Sequence, residues 1–263
     1  TYPVNYHHDY LSYSGSVNYR VADAFAIFAR YSLGGRAGAD KILFTPAVST
    51  VTGGLINPAA GDDSVRQAEI GLKYRNNGIT LNLTGFHALT DDTNSQIATN
   101  PTTGQLELSA VTRAYKAYGL EFEGGFRRGP FNVMAHATYT KAEIRSAENP
   151  ALIGNTPRNQ PKLIYGLTPQ FDTERFTIGA SFIGTTSSFT QDVNQLRMPG
   201  YTTVGAFAQV RPAERFELTL NASNLLNTRA ITGISEGTIP ASGVVMARPL
   251  YGRTVSASGR FFF

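Results

Sequence analysis

Cysteine and tryptophan are both missing from the 263 residues. Without cysteine there is no disulfide framework, no thiolate-held zinc or iron–sulfur cluster and no thiol nucleophile. Charge is sparse, at 16% of the chain, where a soluble globular domain carries roughly 25%. The 23 Lys and Arg barely exceed the 19 Asp and Glu and are scattered, so the basic stripe that marks a nucleic-acid surface is absent. No apolar run approaches the length of a transmembrane helix, about 18 residues or more. The start, Thr1-Tyr2-Pro3-Val4-Asn5-Tyr6-His7-His8, carries neither the basic nor the apolar segment of a secretory signal and no initiator Met, which leads to the expectation of a processed or partial chain. Intrinsic disorder is excluded by a hydrophobic content of 41%, with 13 Tyr and 16 Phe.

What is present is a period of two. Phe176, Ile178, Ala180 and Phe182 alternate with Thr177, Gly179 and Ser181. Phe216, Leu218, Leu220 and Ala222 alternate with Glu217, Thr219, Asn221 and Ser223. The same rhythm runs through Phe131–Thr140, Ile79–Thr84 and Tyr118–Arg127. Because successive side chains of a strand point to opposite faces, each segment has one apolar and one polar face.

The pattern predicts about eleven strands, near 11–20, 25–34, 65–75, 78–90, 113–126, 131–143, 161–171, 175–187, 200–211, 215–223 and 251–263. Many have the length that a tilted strand needs to cross a bilayer, about 9–11 residues. The connections alternate. Short ones fall at 20–24, 76–77, 127–130, 172–174 and 212–214, and long ones near 35–64, 91–112, 144–160, 188–199 and 224–250. Short turns on one rim and long loops on the other describe a transmembrane antiparallel β-barrel. A soluble sandwich also has one apolar face per strand, but strand length, strict loop alternation and polar faces rich in Gly, Ser, Thr and Asn favour the barrel. Eleven is an odd number, whereas bacterial single-chain barrels close with an even one. With the short turns in the periplasm, the first strand would start outside the cell. The expectation is therefore the C-terminal part of a longer barrel.

Several segments carry a family likeness. The stretch 247–263, with Tyr251-Gly252-Arg253 and the ending Arg260-Phe261-Phe262-Phe263, resembles the last strand of TonB-dependent receptors. Glu217-Leu218-Thr219-Leu220-Asn221-Ala222-Ser223-Asn224-Leu225-Leu226-Asn227 resembles their penultimate strand and its Asn-Leu-Phe-Asp-type motif, with Leu226 and Asn227 in place of Phe and Asp. Pro199-Gly200-Tyr201, the segment from Phe28 to Arg36, Glu69-Ile70-Gly71-Leu72-Lys73 and Gly119-Leu120-Glu121-Phe122-Glu123 are similar to further family segments, in the same order.

The resemblance implies a 22-stranded barrel with a plugged lumen, in the outer membrane of a Gram-negative bacterium. It implies energy coupling through the TonB complex and uptake of a scarce nutrient, most often a ferric siderophore, with carbohydrate or cobalamin in other members. It marks Tyr251, Phe261 and Phe263 as a C-terminal signal for the barrel-assembly machinery, and it implies no cofactor. The family's plug and TonB box have no counterpart here, so residues 1–263 are expected to form one barrel domain, about the C-terminal half.

On the polar faces, Glu69, Lys73, Arg75, Glu121, Glu123 and Arg127 either line a lumen and hydrogen-bond a plug, or form a solvated face with cross-strand pairs. In the loops, Gln191, Asn194, Gln195 and Arg197 form the cluster best suited to ligand contact, since amide and guanidinium groups fit a carbohydrate or an anionic siderophore. Each also reads as a hydrated loop residue. Tyr74, Phe126, Tyr139, Phe171 and Tyr201 lie near strand ends, as girdle aromatics or as ordinary sheet aromatics.

Gly233-Ile234-Ser235-Glu236-Gly237 matches the pattern of a nucleophile elbow, but it sits in a loop and not between a buried strand and a helix. The four His (His7, His8, His87 and His136) are adjacent or dispersed. A receptor is therefore expected, not an enzyme. A passive porin-like channel is the runner-up, and an outer-membrane hydrolase using Ser235 and His136 is a distant third. Lipid is the expected surrounding, and no nucleic acid is expected as a partner.

Overall fold

The computed structural model describes residues 9–37, 62–99, 106–234 and 240–263. The strands run in chain order as β1 (Tyr13–Ala22), β2 (Phe25–Ala37), β3 (Asp62–Asn76), β4 (Ile79–Thr99), β5 (Leu106–Arg128), β6 (Phe131–Ser146), β7 (Leu163–Asp172), β8 (Phe176–Thr185), β9 (Ser188–Phe189), β10 (Arg197–Met198), β11 (Tyr201–Ala213), β12 (Phe216–Ser223), β13 (Ile231–Ile234), β14 (Ala247–Pro249) and β15 (Thr254–Phe261). Eleven of them form one antiparallel sheet in the order β1-β2-β3-β4-β5-β6-β7-β8-β11-β12-β15. Each sheet neighbour is thus the next main strand in the chain. The remaining four form two small hairpins, β9–β10 and β13–β14.

All eleven expected strands are found. The expected loop at 91–112 is instead mostly sheet, because β4 runs on to Thr99 and β5 starts at Leu106, in register throughout. These strands are 21 and 23 residues long, about twice what a bilayer crossing requires. The β4–β5 hairpin therefore projects roughly 20 Å past β3, at about 3.4 Å per residue.

Short turns gather at one end, at 23–24, 77–78, 129–130, 173–175 and 214–215. Asn77 (φ 46°) and Gly78 (φ 80°) are both left-handed. That is the geometry of a two-residue hairpin turn whose twist matches its strands.

Register sorts every side chain. One row reads Val17–Ala29–Ile70–Gly85–Leu120–Tyr139 and the next face reads Asn82–Glu123–His136–Gly166. The apolar face is bare: Val17 is 70% exposed, Ile70 69% and Leu120 53%. Among the described residues the buried hydrophobic core is only Ala114, Ile144, Leu152 and Met198. The accessible surface is 17293 Å², where a folded soluble chain of this mass would expose about 11,000 Å². A sheet this long that covers neither face has apolar atoms available for lipid.

The apolar face is bounded by aromatic rings. At the short-turn end stand Phe25, Tyr74, Phe126, Phe131, Phe171, Phe176, Phe216 and Phe261. There the Phe131 and Phe171 centroids lie 5.1 Å apart edge-on, and Phe171 stacks on Phe176 at 5.8 Å. At the other end stand Tyr13, Tyr31, Tyr118 and Tyr139, with Tyr13 and Tyr31 at 6.2 Å. On β5 the separation from Tyr118 to Phe126 corresponds to about 27 Å of strand. At the tilt of about 35–45° of barrel strands it rises about 20 Å, somewhat less than the apolar band of about 25 Å between the interfaces. Tyr201 departs from the expected girdle: its partner is Thr185, and it lies on the polar face.

Candidate functional site

The polar face and the long-loop rim above it form the candidate site. Register puts Glu69, Lys73, Arg75, Glu121, Glu123 and Arg127 together on this face. Glu123 accepts from Asn82 Nδ2 at 3.2 Å, and Glu69 from Gln67 Nε2 at 2.6 Å. The Lys73 ammonium sits 4.8 Å from the centre of the Phe28 ring, within cation–π range. At the short-turn end, Arg211 donates to Gln209 Oε1 (2.8 Å), the Thr173 carbonyl (3.1 Å) and Thr177 Oγ1 (3.2 Å), and ties β8 to β11.

The rim is organised by one arginine. Arg113, on the outward extension of β5, donates from Nε and Nη2 to the two carboxylate oxygens of Glu148 (3.2 and 2.6 Å) and from Nη1 to Asp192 (2.5 Å). Glu148 belongs to the β6–β7 loop and Asp192 to the β8–β11 loop, so three segments meet at one guanidinium. The Arg113 hydrogen bond holds the Glu148 carboxyl below its ordinary value, and the same bond raises Arg113. Asp192 also accepts from the backbone N–H of Arg158 (2.9 Å), and its carbonyl accepts from Asn155 Nδ2 (2.9 Å).

Asn194 completes the tie. Its Oδ1 accepts from Thr156 N–H (2.9 Å), and its Nδ2 donates to the carbonyls of Thr156 (2.7 Å) and Gln191 (3.1 Å). Its backbone is left-handed, φ 57°, which asparagine tolerates better than most residues.

Gln191 is 1% exposed, and its side-chain amide has no hydrogen-bond partner among the described residues. Arg197 Nε donates to Ser187 Oγ at 2.7 Å, while Gln195 is exposed. The four polar residues singled out in this loop thus divide. Asn194 is committed to holding two loops together, Gln191 is buried, and Gln195 and Arg197 face outward.

The Asn-Leu-Leu-Asn motif has a plain structural job. Asn224 is buried with φ 48°. Its Nδ2 donates to the carbonyls of Thr228 (3.0 Å) and Tyr251 (2.9 Å), and its Oδ1 accepts from Thr228 N–H (2.8 Å). Asn227 Oδ1 accepts from Arg253 N–H at 3.2 Å. The motif staples the end of β12 to the approach to β15. The Tyr251 side chain is 90% exposed, and Phe261 and Phe263 pack edge-on at 5.5 Å.

Two features escaped the sequence reading. One is the Arg113–Glu148–Asp192 clasp. The other is a pocket of about 310 Å³ where Ile164, Ile183 and Tyr201 of the polar face meet Met198, Pro199 and Ile231 of the loops. A signal for it existed in the adjacent apolar pairs Ile164-Tyr165 and Phe182-Ile183, where the period of two lapses. Ser235 lies outside the described residues. Among the described residues no three His, Asp or Glu converge as a metal site.

A family model described as TonB dependent receptor-like, beta-barrel, matches residues 1–225. Among solved structures, the sheet superposes on the ferric yersiniabactin uptake receptor FyuA from Yersinia pestis with a TM-score of 0.71 at 18% identity, over 95% of this chain and 37% of that one. It superposes on the siderophore receptor PiuA from Acinetobacter baumannii with a TM-score of 0.67 at 18% identity, over 95% and 36%. The copper transporter OprC gives 0.72 at 13% identity, over 95% and 39%. At these identities the likeness is one of fold, and the chain spans little more than a third of the length of these proteins. No curated protein matches the chain.

Proposed function

We infer that this chain, which belongs to the TonB dependent receptor-like β-barrel family, is barrel wall of a receptor that imports a scarce nutrient, a ferric siderophore first among the candidates, across the outer membrane of a Gram-negative bacterium. The observation that carries this reading is the two-faced sheet, apolar and uncovered between two aromatic rings on one side and polar on the other. In hydrocarbon every backbone group must be paired, and a closed sheet meets that demand without helices. Here β1 and β15 are the sheet's two edges among the described residues, so closure needs further strands.

On this reading Glu69, Lys73, Arg75, Glu121, Glu123 and Arg127 line the lumen and offer hydrogen bonds to a plug. Gln195 and Arg197, exposed on the rim, meet cargo, with Gln191 and Asn194 shaping the loop that carries them. The barrel-assembly machinery reads Tyr251, Phe261 and Phe263, and the TonB complex supplies the energy. FyuA, a ferric yersiniabactin uptake receptor, and PiuA, a siderophore receptor, support a ferric cargo. Carbohydrate or cobalamin is the alternative within the family.

The test is uptake of radio-iron in ferric siderophore complexes by cells that make the full-length protein. Uptake should collapse when a protonophore removes the proton-motive force. Uptake that persists unchanged overturns energy coupling and favours a passive porin-like channel.

A further inference from the structure

At one place on the polar face, apolar side chains from three strands cluster. Near the loop ends of β7, β8 and β11, Ile164, Ile183 and Tyr201 stand on this face, and the positions paired with them are Thr138, Thr185, Gly166 and Thr203. Ile183 is 54% exposed and Ile164 45%. Met198 and Pro199 from the β8–β11 loop and Ile231 from the β13–β14 hairpin close over them and leave a pocket of about 310 Å³ that no acidic or basic side chain lines.

The inward-facing phenylalanines elsewhere have another explanation. Phe28, Phe86 and Phe207 lie over the cross-strand glycines Gly71, Gly119 and Gly179. Aromatic cover of this kind supports a glycine in a sheet. Ile164 is paired with Thr185, and the glycine opposite Ile183, Gly166, already lies under the His136 ring.

The pocket walls are held in place. Thr186 Oγ1 accepts from Leu163 N–H at 3.0 Å, and Asn159 N–H donates to the Phe189 carbonyl at 2.7 Å. Thr228 Oγ1 donates to the Thr202 carbonyl at 3.1 Å, which anchors the chain leading into the β13–β14 hairpin. Gly200 lets β11 start against the β8 exit: a Cβ there would stand 2.5 Å from the Thr185 carbonyl oxygen. A site shaped before binding loses less free energy to ordering when it binds.

We propose that this pocket is a subsite for an uncharged, aryl- or alkyl-bearing arm of the imported complex, an inference that rests on the uptake reading above. The volume is at the lower end for small-ligand sites, about 300–1,000 Å³, and suits a ring-sized fragment. A carboxylate or phosphate placed there would lose water without a charged partner, which disfavours it. The pocket opens at the long-loop end of the strands, where a ligand arriving from outside meets the wall first.

Retention of radio-iron is measured on the full-length protein in membranes, with three probes: a ferric tris-catecholate, a ferric alkyl-hydroxamate and ferric citrate, which carries no apolar arm. An aryl or alkyl complex should be retained and ferric citrate should not. Ile183→Asp should weaken that retention at least tenfold, and Ile183→Leu should preserve it. Should Ile183→Asp fail to assemble, as judged by loss of heat-modifiable mobility, Ile183→Thr carries the test with about threefold weakening. Retention of ferric citrate alone, or of an apolar complex with unchanged affinity in the folded Ile183→Asp or Ile183→Thr protein, overturns the subsite and leaves the uptake reading standing. Retention of none of the three overturns the subsite together with the ferric cargo.

Discussion

The imidazole of His136 lies over Gly166, its direct cross-strand partner, so closely that a Cβ on residue 166 would fall inside the ring's van der Waals envelope, 2.6 Å from Nε2. Gly166 is buried beneath it. The same relation joins Phe86 to Gly119, where a Cβ would stand 2.8 Å from Cζ, and Phe28 to Gly71 at 2.5 Å. Large rings on one strand and glycines on the next keep this face of the wall level. This places His136 in the wall's packing and gives its ring a structural role.

Gly166→Ala therefore overpacks one defined contact. It should destabilise the protein by about 1–3 kcal/mol, read from the shift in the heat-modifiable transition on gels. In a His136→Ala background the penalty should largely vanish. A penalty of equal size in both backgrounds would mean that the ring is not the obstacle, since a double-mutant cycle isolates the pair.

The two faces of the sheet should respond oppositely to charge. Leu83→Arg, opposite Phe122 and midway between the two aromatic rings, places a cation among lipid-facing side chains and should cost about 2–4 kcal/mol near the midplane. Thr138→Arg, on the polar face beside Glu121, should cost little. Reversible unfolding in urea with lipid vesicles measures both. Equal costs would deny that the apolar face meets hydrocarbon.

Arg113→Gln removes the guanidinium shared by Glu148 and Asp192. Hydrogen bonds to charged groups contribute about 1.5–3 kcal/mol, and the partners are only part-buried, so the lower end is expected. The loss is local. Limited proteolysis should cut within 147–161 faster in the variant, while the sheet remains resistant.

Acid should act on the same clasp. Glu148 is held below its ordinary value near 4.5, chiefly by the hydrogen bond from Arg113. A carboxyl lowered by folding contributes its full stabilisation above its unfolded pKa and loses it as pH falls through the folded one. The local opening equilibrium in 147–161, taken from hydrogen exchange after correction for the pH dependence of intrinsic amide exchange, should therefore be flat from pH 7 to about 5 and rise only below the ordinary glutamate range. Arg113→Gln should abolish that acid step. A rise centred near pH 6 would implicate a different group.

Strand number, strand order and the face on which Leu120 or Glu123 stands were legible in the sequence, because the pleat makes side-chain direction a local property with a period of two. The turn was local too, expected at 76–77 and found one residue on, at Asn77-Gly78. The extent of β4 and β5 was not, since polar residues such as Asp91, Asp92 and Asn94 read as loop until a partner strand is seen to pair with them. Tyr201 could not be placed on a face until the register of β11 against β8 was known.

By itself, then, the amino-acid order determined a bilayer-crossing sheet with short turns at one rim and long loops at the other. Only the tertiary structure decided what happens at that rim. Arg113 and Asp192 are 79 residues apart in the chain, and Ile164, Ile183 and Ile231 come from separate elements. No local rule links such positions, because they meet only when register and loop docking bring them together.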